Sequence, residues 1–129
     1  MKIAAFILLL AAGIHADYSI PLDQYKSDYL CYFIGANGVE ADSGYAFTLW
    51  EDASVSVRFV EGNAVEFGVD CDLDIFPPDP NTLVLQCSFL FSSQASMTFT
   101  MDKSSLRGHA SMMGEKPESR DLICRPNRR

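Results

Sequence analysis

The chain has 129 residues, with ten Lys and Arg against seventeen Asp and Glu, a formal net charge of −7. At 48% hydrophobic and 12% aromatic residues it can bury a core, which excludes wholesale disorder, and its length fits one domain. The acidic balance argues against nucleic acid as the main partner, because phosphate binding draws on an excess of Lys and Arg.

The chain opens Met1-Lys2-Ile3, one positive charge, followed by the apolar run Ala4–Ala12 and by Ile14-His15-Ala16. This order predicts a secretory signal peptide over residues 1–16, cut after Ala16, with Gly13 as second choice. The run is too short to cross the roughly 30 Å of bilayer hydrocarbon, and no later segment is long and apolar enough. The expectation is a secreted, extracellular protein without membrane insertion. Residues 17–129 keep nine basic and seventeen acidic residues, net −8, and a single histidine, His109. One histidine excludes a multi-histidine metal site.

Residues 17–28 are polar with scattered apolar positions, and Pro21 opposes a helix, so they predict an extended arm or an edge strand. From Tyr29 the pattern changes to short strand-like runs. Tyr29–Ile34 is the first, closed by Gly35-Ala36-Asn37-Gly38, whose Asn-Gly pair favours a turn. Tyr45–Trp50 is the second, broken by Glu51-Asp52. In Ser54–Val60 the residues Val55, Val57 and Phe59 share one face, the two-residue period of a half-buried strand. Glu61-Gly62-Asn63 then predicts a hairpin turn into Ala64–Val69, with Val65, Phe67 and Val69 on one side.

Phe76–Asn81 holds three prolines, which remove three backbone donors, so it predicts a rigid loop. A strand follows from Thr82 to Phe91; Phe89-Leu90-Phe91 is apolar on both faces and reads as buried. Ser96–Met101 alternates again, with Met97, Phe99 and Met101 inward. Ala110–Met113 and Asp121–Cys124 are the last short candidates. No long helical period appears after residue 16. The fold class is all-β: a small, disulfide-stabilised antiparallel β-sandwich or β-barrel over residues 29–124, followed by a basic tail, 125–129.

Cys31, Cys71, Cys87 and Cys124 make an even count, which in a small secreted chain implies two disulfides. Three pairings are open. A Cys71–Cys87 bridge would contribute roughly 3 kcal/mol and a Cys31–Cys124 bridge roughly 4–5 kcal/mol on the chain-entropy model. No CxxC spacing supports a zinc or thioredoxin-like site. Asp70, Asp72 and Asp74 alternate along a strand and resemble the opening of an EF-hand loop. Ile75 stands at the glycine position and Asn81 at the bidentate glutamate, so the three read as a solvated face. No G-x-S-x-G elbow is present, and His109, in Arg107–Ala110, reads as part of a surface turn. The sequence therefore offers no catalytic, cofactor or metal site, and the chain is expected to be non-enzymatic.

Charge is divided along the chain. Residues 17–102 hold fourteen acids and two bases, net −12, and residues 103–129 hold three acids and seven bases, net +4. The bland reading is a basic tail that folds back on the body. The functional reading is an arm for an acidic surface such as cell-wall polymer, membrane or a partner protein. Trp50, beside Glu51-Asp52, and Arg125, Arg128 and Arg129 form the candidate partner surface.

Val65–Cys71, a proline-bearing loop, Cys87 and then Met97–Met101 resemble the Alternaria major-allergen-like β-barrel family of fungal secreted proteins. Asp121-Leu122-Ile123-Cys124 is similar to that family's closing Asp-aromatic-aliphatic-Cys element, and the likeness covers about 60 residues. Where the family has a further cysteine shortly before the last, this chain would have to use Cys31. Cys31 and Cys71, with Phe76-Pro77-Pro78 and Leu83-Val84-Leu85, also look like some MAX-type effector β-sandwiches of plant-pathogenic fungi. Tyr29-Leu30-Cys31 matches the aromatic-x-Cys signature of mildew RNase-like effectors. All three resemblances imply a non-catalytic secreted protein, an effector or allergen-like virulence factor, that meets a host protein or cell-surface component. The rival classes are a small hydrolase acting on cell-wall glycan or RNA and a protease-inhibitor-like module.

Overall fold

Period-two alternation builds nine strands among the described residues, 20–88 and 94–127 of the computed structural model. They are β1 (Ile20–Pro21), β2 (Tyr29–Gly35), β3 (Gly38–Leu49), β4 (Ser54–Glu61), β5 (Ala64–Leu73), β6 (Thr82–Ser88), β7 (Gln94–Asp102), β8 (Arg107–Gly114) and β9 (Glu118–Pro126). The signal-peptide reading over 1–16, the first residues of the arm, Phe89-Leu90-Phe91, Arg128 and Arg129 lie outside the described residues.

From β2 to β9 each strand pairs antiparallel with its chain neighbour, and β9 returns to β2, so the sheet closes into an eight-stranded up-and-down barrel. Of the two architectures open from sequence, the barrel is the one formed. The turns suit it. Glu61 pairs with Ala64 across Gly62-Asn63, and Gly62 takes φ +60° at the first central position, where a II′ hairpin turn needs glycine.

The disulfides are Cys31–Cys124 and Cys71–Cys87. Each joins residues directly opposed on neighbouring strands, β2 with β9 and β5 with β6. All four cysteines are buried in the barrel interior with Phe47, Val57, Leu85, Met97, Phe99 and Leu122. Phe47 on β3 and Phe99 on β7 meet across that interior, ring centroids 4.5 Å apart. Side chains therefore fill the barrel, as expected for eight strands. Tyr45 lies among Phe33, Phe47 and Phe59, and its hydroxyl is pushed up to about 12 by burial first and by nearby Glu118 second, against the opposing effect of Arg120.

The arm covers the outside. Leu22 and Tyr25 pack on Leu30, Ala46 and Val60, which are outward-facing yet buried. Covering Leu30 alone contributes roughly 1.5–3 kcal/mol. Polar groups fix the arm in place. Leu22 N–H donates to Asn63 O (2.6 Å), Leu49 N–H donates to Asp28 Oδ2 (2.7 Å), and Asn127 Nδ2 donates to Ser27 Oγ (3.0 Å) and Tyr25 O (3.2 Å). Ser27, fully buried, donates in turn to Tyr29 O (3.1 Å), which satisfies its hydroxyl.

Three local expectations change. Val65 and Val69 do not share a face: a bulge between the Val57–Val69 and Phe59–Glu66 pairs shifts the register, so Val65 stands opposite Val60 on the outer side. His109 lies inside β8, not in a turn. The turn comes earlier, where Asp102 Oδ1 accepts the N–H groups of Ser104 (2.8 Å) and Ser105 (3.1 Å). The inward residues of β8 include Gly108 and Ala110, too small to show an apolar period; a Cβ on Gly108 would come within 2.7 Å of the Phe99 ring. Arg125, assigned to the tail, is part of β9.

Candidate functional site

With its interior filled, the barrel offers its outer surface and its two ends to other molecules. One end is formed by the β3–β4 turn and the β5–β6 loop, tied together by Leu73 N–H donating to Ala53 O (2.9 Å). Trp50 stands there 47% exposed, its indole N–H donating to Ser56 Oγ (3.0 Å), in an open groove lined also by Glu51, Asp52 and Asp70. Asp52 Oδ1 accepts the hydroxyl (2.6 Å) and the N–H (3.0 Å) of Ser54, and these bonds hold its carboxyl below the usual range. Asp70 and Asp72 face outward opposite Ser56 and Ser54, as the alternation implied.

The proline loop adds two residues that sequence reasoning missed: Ile75 is 63% and Phe76 84% exposed. Large apolar residues beside a run of prolines were the available signal, since a loop too stiff to fold inward leaves them in water. The loop is held by Phe76 N–H donating to Asp74 Oδ1 (2.9 Å), by Asn81 Nδ2 donating to Asp102 Oδ1 (3.0 Å) and by Lys103 Nζ donating to Pro80 O (3.3 Å). Asp102, which accepts from Ser105, Ser104 and Asn81, is likewise held below the usual carboxylate range. The result is a tied-down end carrying three exposed apolar side chains, with Glu51, Asp52 and Asp70 beside Trp50.

A second group lies on the barrel wall. His109 Nδ1 is 2.8 Å from Asp121 Oδ1, both side chains exposed, and Thr100 stands directly across from His109 on β7. The three border a shallow groove with Arg107 and Asp102. An aspartate on Nδ1 fixes the ring's orientation, the arrangement of a general base. Arg125, the described cation of the candidate surface, joins neither group; it lies opposite Leu30 beside the arm, so the structure separates it from Trp50. Among the described residues no cluster of His, Cys, Asp and Glu is arranged to hold a metal ion, and no helix is long and apolar enough to cross a membrane.

Fold and surface together define a class: an up-and-down β-barrel with both closures stapled by disulfides, bonds of the kind that persist in oxidising compartments. No protein-family model, no curated protein and no solved structure matches the chain.

Proposed function

We propose that this chain is a small extracellular binding protein, non-catalytic, that acts on a host protein or cell-surface component through the outside of its barrel. The observation that carries the reading is the tied-down end bearing Trp50, Ile75 and Phe76, large apolar side chains kept in water on a disulfide-stapled frame whose interior is full. Exposed aromatic anchors on a pre-ordered loop favour association, because little conformational freedom remains to be lost on binding. The signal-like residues 1–16 and the likeness to secreted fungal effector and allergen-like families support the same reading.

The test is saturable binding of fluorescently labelled protein to intact host cells and isolated cell walls, alongside assays of glycan and RNA hydrolysis. Binding that saturates and is lost in the Trp50→Ala and Phe76→Ser variants is the expected result. Hydrolysis that disappears in His109→Ala, without saturable binding, would replace this reading with the small-hydrolase one, for which the His109–Asp121 pair is the observation in favour.

A further inference from the structure

Residues 17–102 contain only two basic residues, Lys26 and Arg58, among fourteen acids. The fold brings both to one place. Arg125, Leu30, Ala46 and Arg58 form a single row of directly opposed residues across β9, β2, β3 and β4. The arm lies over the middle of that row, with Tyr25 on Leu30 and Ala46. The Arg58 guanidinium stands 6.0 Å from the centre of the Tyr25 ring, and Lys26 and Arg125 line a groove of about 660 Å³ beside the same residue. None of the three cations makes an ion pair among the described residues, in a chain with seventeen carboxylates. In a body this acidic, gathering the available cations without neutralising them leaves a local positive field set in a negative one.

We infer that this groove between arm and barrel is a binding site for an acidic oligosaccharide, a sugar chain bearing carboxylate or sulfate groups. The charges call for an anion. Two cations, Lys26 and Arg125, line a groove of this size, so the ligand presents more than one charged group. The remaining lining calls for hydroxyls. Asp23 faces the groove beside the amides of Asn63 and Asn127. A carboxylate repels a free phosphate ion seated against it but accepts hydrogen bonds from the hydroxyls that lie between the charged groups of a sugar chain, and amides donate and accept in turn. The Tyr25 ring supplies an apolar wall. A nucleic acid strand fits less well, because its dense phosphates would run beyond the groove onto the acidic body. The inference deepens the binding reading above, and rests on it, by naming one ligand class for a site separate from the Trp50 end.

The experiment is an NMR amide-shift and calorimetric titration of the disulfide-bonded chain. The probes are a galacturonate oligomer, a sulfated oligosaccharide, a neutral glucan oligomer, inorganic phosphate, single-stranded DNA and vesicles of anionic lipid. The expected result is binding of an acidic oligosaccharide but not of the neutral one, with shifts confined to the arm, Asn63 and Arg125 and an affinity that falls with salt. Arg125→Ala and Lys26→Ala each weaken it about tenfold, the size of one charge-assisted hydrogen bond, with Arg125→Lys intermediate. Asp23→Asn separates the ligand types: it weakens sugar binding but strengthens that of phosphate. Equal binding of neutral and acidic sugars, shifts elsewhere on the barrel, or binding of phosphate, DNA or vesicles without sugar would overturn the inference. Lys26 is exposed on the arm, so its variant keeps the fold and the test informative even if Arg125→Ala perturbs β9. Cell binding that depends on Trp50, with no oligosaccharide-induced shifts in the groove, would overturn this site and leave the binding reading standing; absence of any saturable cell binding by the unaltered protein would remove the reading itself.

Discussion

The β2–β9 closure pairs five residues on each strand, from Tyr29–Pro126 to Phe33–Leu122, whereas β5 and β6 pair only three, Cys71–Cys87 to Leu73–Leu85. Each carries one disulfide, but in different positions. Cys31–Cys124 sits in the middle of its ladder, with paired residues on both sides. Cys71–Cys87 sits at the end of its ladder, where β5 leaves β6; nearer its start, β5 pairs with β1 instead. The first bond mainly joins distant parts of the chain, 93 residues apart; the second holds a short contact closed. Loop closure and local pairing are thus two different demands on a disulfide in the same barrel.

Removing each bond separates the two. Cys31→Ala with Cys124→Ala is expected to cost roughly 4–5 kcal/mol in urea unfolding, the chain-entropy value for so long a loop. That is a large share of the 5–15 kcal/mol or so of a typical domain. The β2–β9 ladder itself should persist in whatever fraction remains folded. Cys71→Ala with Cys87→Ala is expected to cost less, roughly 3 kcal/mol. Its effect should be local: amide exchange speeds up over Cys71–Leu73 and Leu85–Cys87 well before it changes in β2 and β9. A larger global cost for the second pair, or uniform exchange in both, would break the distinction.

The same contrast explains what was legible from sequence. Strands made of local alternation, Ser54–Val60 and Ser96–Met101, could be read directly, and so could the outward run of Asp70 and Asp72. Closure could not, because the pairing of Cys31 with Cys124 joins positions 93 residues apart and no local pattern marks it. A bulge hid the change of face at Val65, and small inward residues hid β8 and with it the setting of His109. Exposure was legible at Trp50, at the end of its strand, and not at Ile75 and Phe76, whose exposure depends on a proline-bearing loop. The approach of Lys26 and Arg125 to one groove depends on where the arm lies across the strand register, which composition does not encode.

A third test moves from the closures to the space they enclose. Tyr45 in the folded barrel holds its proton up to about 12, against 10.0 for a free tyrosine. A raised pKa means the folded state keeps a proton that the unfolded chain releases. The contribution is complete below pH 10 and is lost as the pH rises from 10 toward 12, by about 2–3 kcal/mol in total. Unfolding measured between pH 9 and 12 should show that fall, and Tyr45→Phe should lessen it. A slope unchanged in the variant would place the alkaline loss elsewhere.

The smallest expected effect on stability is at the exposed end, and there it sharpens the contrast most. Phe76 is 84% exposed, so Phe76→Ser removes little buried area and should change unfolding by no more than about 0.5 kcal/mol. Its loop keeps the Asp74 turn and the Asn81–Asp102 bond, neither of which uses the ring. If the end is a docking surface, the same substitution abolishes cell binding, giving the largest functional change with the least structural one. A variant that instead loses several kcal/mol would show the ring to be part of the packing, and the end would then be one more wall of the barrel.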